Sequence, residues 1–199
     1  QNPAKQLGVN VDELSAKVHL AAGHFKEAAE KYKEVAGRKR DPEGMSEAFY
    51  FSALAYFRGG FHDEAKTVLD QFFAKNPPQN QFRSAAAVLL GDVLVKQGKP
   101  AAAVKQYKKA AGEAQDSDVV YLAYTHLLES LFKQSAAESA LREAAANFVE
   151  SLPEGRTFLF VVELLYGAKQ YSDVLNYADS ATRSLVSDDT GRAKALYYE

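Results

Sequence analysis

The chain has 199 residues, 47% of them hydrophobic, and a formal net charge of −2. That balance excludes a general nucleic-acid binder, which carries a basic face, and no apolar run approaches the ~18 residues of a membrane span. Cysteine is absent, which removes disulfides, thiol nucleophiles and thiolate metal sites.

The start at Gln1-Asn2-Pro3, with neither Met nor a charged-then-apolar leader, is expected either of a chain whose leader has been removed or of a piece of a longer protein. Residues 10–40 are expected to hold a first helix pair. Its opening, Asp12, Ser15, Ala16 and His19, is weakly apolar, as suits a terminal unit facing water. Its second helix, 25–37, carries Ala28 and Tyr32. The run Arg38-Lys39-Arg40 reads as a solvated helix end favoured by the C-terminal dipole.

A second pair is expected over 43–77, with Phe49, Ala53 and Tyr56 on one helix and Ala65, Leu69 and Phe72 on the next. Asn76-Pro77-Pro78 ends it, because proline restricts the residue before it and cannot continue a helix. A third pair spans 80–115. Leu90, Val93 and Leu94 recur at helical spacing, Gly98-Lys99-Pro100 breaks the pattern, and Val104 and Tyr107 resume it. The small residues Gly91 and Ala103, one per helix, suit close approach of two antiparallel helices.

The fourth pair, 118–152, keeps Tyr124, Leu127, Leu131 and Ala140, but places Leu128 where a small residue is wanted, and its turn Gln134-Ser135 lacks glycine. In the fifth, 155–186, Val162 and Val174 are again larger than usual, so these last pairs are expected to be pushed apart. Residues 189–199 read as one more first helix, either a sixth unit begun or a cap, with Leu196 and Tyr197 packing on the fifth.

The turns fall near 23–25, 59–61, 98–100, 134–136 and 168–170. The small residue after each turn, Ala28, Ala65, Ala103, Ala140 and then Val174, recurs at intervals of 37, 38, 37 and 34 residues. With Ala87-x2-Leu90-Gly91-x2-Leu94 followed by Ala103-x3-Tyr107, this resembles the tetratricopeptide repeat, a helix–turn–helix unit of about 34 residues. The resemblance implies one all-α repeat domain over 1–199, a right-handed solenoid of antiparallel helix pairs with no strand. The 37- and 38-residue spacing and the Asn-Pro-Pro end also resemble bacterial envelope repeat proteins of the Tol-Pal and outer-membrane-assembly kind. That second likeness implies a periplasmic or envelope location over a cytoplasmic one.

Nothing in the sequence suggests chemistry. His19, His24, His62 and His126 lack paired metal-ligand spacing, and His24 and His62 fall in turns, where a solvated role is expected. Gly59-Gly60 and Gln97-Gly98-Lys99 read as helix-ending turns rather than phosphate loops. The expectation is therefore a non-enzyme with no catalytic residue, no metal and no cofactor.

Function is expected in the groove that the first helices line in this family. The resemblance places Tyr50, Leu54, Phe57 and Arg58 there, then Val88, Asp92, Val95 and Lys96, then Thr125, Glu129, Phe132 and Lys133, and last Leu159, Glu163 and Tyr166. Leu20, Phe57, Val95, Phe132 and Tyr166 form an apolar column through every unit. The column either binds a peptide or helix of a partner protein or helps to pack neighbouring units. Asp92 with Lys96, and Glu129 with Lys133, are i,i+4 pairs beside it. Some members of the family clamp acidic chaperone tails with Lys and Asn. Here the matching row reads Lys17, Leu54, Asp92, Glu129 and Glu163, which predicts no such binding. The sequence thus favours a protein-binding adaptor of open oligomeric state, with the repeat region of a larger enzyme or regulator as the alternative.

Overall fold

The computed structural model describes residues 3–75 and 81–184, and among these every regular element is an α-helix. Ten helices follow in chain order: α1 (Pro3–Ala21), α2 (Phe25–Arg38), α3 (Pro42–Arg58), α4 (His62–Ala74), α5 (Gln81–Lys96), α6 (Pro100–Glu113), α7 (Ser117–Lys133), α8 (Glu138–Ser151), α9 (Gly155–Gly167) and α10 (Tyr171–Ser184). Each odd-numbered helix and its successor form one antiparallel pair. The expected helix end at Asn76-Pro77-Pro78 and the expected helix 189–199, with Leu196 and Tyr197, lie outside the described residues.

All five pairs turn over by the same device. The first helix ends with a residue in left-handed conformation: Gly23 (φ 77°), Gly60 (81°), Gly98 (72°), Ser135 (50°) and Lys169 (61°). In each case that residue's N–H donates three residues back, and the next N–H donates five residues back. Examples are Gly60 to Phe57 O at 3.0 Å with Phe61 to Tyr56 O at 2.9 Å, and Lys169 to Tyr166 O with Gln170 to Leu165 O, both at 3.0 Å. This doubly bonded turn satisfies carbonyls left open at the helix end. Helix starts are capped more locally. Asp41 accepts from Gly44 N at 2.7 Å ahead of Pro42, and Asp116 accepts from the amides of Asp118 and Val119.

The chain forms two compact units, Gln1–Lys109 and Ala110–Glu199, and the division falls within α6. In the first, α1 packs on α2, α2 on α3, and α3 on both α4 and α5, with α4 also against α5. Tyr32, Val35, Val68, Leu69 and Phe72 are buried there, each contributing about 1.5–3 kcal/mol before entropy is counted. In the second, α7 packs on α8 and α9, α8 on α9, and α9 on α10, around Leu128, Phe148, Val161 and Leu165.

Two expectations are corrected here. The first helix begins at Pro3 rather than near residue 10, since proline at the first helical position costs no hydrogen bond. Leu128, Val162 and Val174, expected to push the last two pairs apart, are all buried. Smaller residues stand at the matching positions of the second helices. Gly91 is matched by Tyr107 and Ala16 by Tyr32, whereas at the same two repeat positions Leu128 is matched by Ala144 and Val162 by Ala178, all of them buried. The basic run after α2 is not merely solvated either. Arg38 pairs with Asp12 and Glu34, and Lys39 Nζ lies 3.0 Å from Glu13 Oε2, which ties the end of α2 to α1.

Candidate functional site

The doubly bonded turn sets the register of the apolar column. Leu20, Phe57, Val95, Phe132 and Tyr166 are the five residues whose carbonyls accept the N–H of the left-handed residue. Each therefore occupies one backbone position, the last but one of its helix. The residue before it turns inward: Tyr56, Leu94, Leu131 and Leu165 are all buried. The residue after it is Arg58, Lys96 and Lys133 in the three middle repeats. The column itself lies between these extremes. Leu20 and Phe57 are half-buried, and Val95, Phe132 and Tyr166 are each 42% exposed.

In the first unit Phe57 leans on the ring of His62, with centroids 5.4 Å apart. This corrects the solvated role expected for His62, which opens α4 and keeps a buried Nδ1 that has no hydrogen-bond partner. Leu54 is half-buried and Arg58 is exposed. Tyr50 serves packing between repeats, its ring lying 5.3 Å from Phe51 and 5.9 Å from Phe82 of α5. Burial raises its phenol pKa above the ordinary value. Val95 and Lys96 are exposed. Asp92 is committed to structure, its Oδ1 accepting from Tyr107 Oη at 2.7 Å and so holding α6 to α5. Val88 does not face the groove row, being only 1% exposed. The stretch of α5 carrying it is apolar throughout and accordingly buried all round from Ala86 to Gly91.

In the second unit Phe132 reaches the end of α9. A methyl group placed on Gly167 would stand 3.9 Å from Phe132 Cζ. Tyr166 meets Tyr171 edge-on at 5.6 Å, and Tyr171 is itself 54% exposed. Glu129 and Lys133 form an exposed ion pair at 3.1 Å, a geometry worth little in water. Thr125, expected in the same row, is only 6% exposed and donates to Leu122 O. Leu159 and Glu163 are half-buried. Beneath this face Tyr121 stacks among Phe148 and Phe160, with the Arg156 guanidinium 4.6 Å over its ring and paired to Asp118.

Sequence reasoning missed His62 and Tyr171 as ring neighbours of the column. Each stands five residues after a column residue, across the turn, and that spacing is the signal that finds them. Among the described residues no group of three or more His, Asp or Glu side chains is placed to hold a metal ion, and no helix is long and apolar enough to cross a membrane.

A family model for the tetratricopeptide repeat-like domain matches residues 4–133, and the chain belongs to that family. Its domains are generally non-catalytic interaction modules. No curated protein sequence matches the chain significantly. Among solved structures the fold is similar to that of PilF of Pseudomonas aeruginosa, at 16% identity over 96% of this chain and 82% of that one, with a TM-score of 0.61. It is similar to YrrB, described as a TPR protein with an unusual peptide-binding site, at 17% identity over 92% and 88% of the two chains, TM-score 0.56. It also resembles the TPR2AB domain of yeast Sti1, solved as a pHSP90 complex, at 13% identity over 96% and 99%, TM-score 0.50. At these identities the likeness concerns the fold.

Proposed function

We propose that the chain is a non-catalytic adaptor that holds a peptide or helix of a partner protein against the exposed ends of its first helices, in a bacterial envelope complex. The observation that carries this reading is the half-exposed column. Phe132 and Tyr166 leave aromatic surface open at positions where their helices have already buried a full apolar face through Leu131 and Leu165, and exposed apolar patches of this kind mark interaction sites. Aromatic anchors of this sort dominate the binding energy of many interfaces. In the first unit Phe57 and Val95, with Leu54 beside them, play the same part, while Arg58, Lys96 and Lys133 hold carbonyls or carboxylates of the ligand. YrrB, described as having an unusual peptide-binding site, and the TPR2AB domain of Sti1, solved as a pHSP90 complex, share the fold and support this mode of binding. The envelope setting rests on the repeat spacing and the Asn76-Pro77-Pro78 sequence.

The test is capture of partners by the intact chain, followed by the same measurement with Phe57→Ala and Phe132→Ala. Each substitution is expected to weaken binding tenfold or more, about 1.4 kcal/mol, with helicity retained, while Lys108→Ala on the second helix of its pair changes little. Binding that is unchanged per folded molecule in both Phe variants overturns the proposal.

A further inference from the structure

We propose that two copies of this chain associate through α1, whose outward face is a short parallel coiled-coil seam. Val11, Leu14 and Val18 are 60%, 64% and 60% exposed. Their spacing of three and four residues is a heptad pattern, which the sequence continues to Leu7 upstream and Ala21 downstream. On the opposite side of the same helix Ala16 is fully buried, and this is the side packed on α2. The helix is therefore apolar on two faces, only one of which the described residues cover.

The side chains on the seam specify the occupant. Val11 and Val18 fall at one heptad position and Leu14 at the other, and β-branched residues at a with leucine at d favour two parallel strands. The acids of α1 are already turned inward: Asp12 pairs with Arg38, and Glu13 with Lys17 and Lys39. The positions flanking the seam are Asn10, Ser15, Lys17 and Ala22. Lys17 is the sole charge among them and lies 3.0 Å from Glu13. A charged partner finds nothing to complement here, whereas an identical helix does. In register, Asn10 faces Ser15 of the second copy and Lys17 faces its Ala22, so no like charges meet. A seam of this length buries less than the about 1,200 Å² of standard interfaces, so the dimer is weak and concentration-dependent.

Sedimentation equilibrium of the full chain over a wide concentration range tests this. The expected mass rises from 21.8 kDa towards twice that value. Leu14→Glu, at an exposed position, is expected to shift the association midpoint at least tenfold upward with an unchanged circular dichroism spectrum. Because the chain has no cysteine, single substitutions also report geometry under mild oxidation. Leu14→Cys and Val18→Cys are each expected to form disulfide dimers with themselves, and Leu122→Cys, exposed in the second unit, far more slowly. A chain that stays monomeric throughout overturns the proposal. So does crosslinking of Leu122→Cys as fast as Leu14→Cys, or of Val18→Cys only when mixed with Val11→Cys, which marks an antiparallel pair. Shielding of a monomeric Leu14→Cys from a thiol reagent also overturns it, since the seam is then covered by the chain itself.

Discussion

The pairing of Gly91 with Tyr107 gives the sharpest quantitative expectation. The phenol ring lies across Gly91 because its hydroxyl reaches the neighbouring Asp92, donating at 2.7 Å. A Cβ on residue 91 would stand 2.3 Å from Tyr107 Cε1 and 2.7 Å from Cδ1 and Cζ. Tyr107 is almost completely buried, so the ring cannot swing into solvent without giving up its packing. For Gly91→Ala, overpacking costs about 1–3 kcal/mol, and straining or breaking the charge-assisted hydrogen bond adds about 1.5 kcal/mol. Better helix propensity returns about 1 kcal/mol. The net expectation is a loss of about 2.5 kcal/mol, read by urea denaturation at 25 °C.

A double-mutant cycle isolates the clash from other effects. Gly91→Ala combined with Tyr107→Leu recreates the pair that the second repeat already buries, Ala53 with Leu69. Tyr107→Leu alone forfeits the hydrogen bond and part of the ring's packing. Together the two are expected to be less damaging than the sum of the singles by about 1 kcal/mol or more, as for side chains in direct contact. Gly91→Ala more stable than the parent, or additivity within about 0.3–0.5 kcal/mol, would refute the argument, since either result means the ring does not rest on Gly91.

Two further outcomes are expected. Ser135→Gly and Lys169→Gly should each stabilise the second unit by about 0.5–1 kcal/mol, because a side chain at positive φ costs about 1–2 kcal/mol and part of that gain is lost to the freer unfolded chain; thermal melts that fall instead would show these turns to be unstrained. Burial pushes the Glu13 carboxyl up, but hydrogen bonds from Lys39 and Lys17 together with their charges prevail, and its pKa lies below the ordinary value of 4.5. A carboxyl depressed in the folded state contributes stability that is present above its unfolded pKa and lost as pH falls through the folded one. The first unit should therefore weaken on acidification below about pH 4.5, and Glu13→Gln should flatten that slope; an identical acid limb in the variant would remove Glu13 as its cause.

The helix pairs were legible because each is punctuated twice, by a small residue at a fixed place in the second helix and by a left-handed turn before it. Even the fourth turn, without glycine, was placed correctly, since Gln134-Ser135 interrupts two strongly periodic stretches. What the sequence obscured follows from treating one position at a time. Leu128 and Val162 look too large only until Ala144 and Ala178 are set against them, and a volume exchange is visible only across two helices. Val88 and Thr125 were assigned to the groove by repeat register alone. Register fixes the direction of a side chain but not what the neighbouring helix lays over it. The seam on α1 escaped notice for the opposite reason: Asp12, Ser15 and His19 occupy the repeat's own positions, while Val11, Leu14 and Val18 fall between them.

Exposure of the column is not in itself evidence of function. The carbonyls of Leu20, Phe57, Val95, Phe132 and Tyr166 are all consumed by the turn, and a helix that ends in this way leaves the second residue from its end beside solvent whatever its side chain. The identity of those side chains is the informative part. A helix C-terminus favours cations by about 0.3–1 kcal/mol, and the next position follows that rule with Arg58, Lys96 and Lys133. One residue earlier the chain places Leu, Phe, Val, Phe and Tyr instead, which the dipole does not reward and folding only half buries. Polar residues at Val95, Phe132 and Tyr166 would cost the fold little. Their apolar character is what the proposed binding surface needs, one that loses its water when a partner docks.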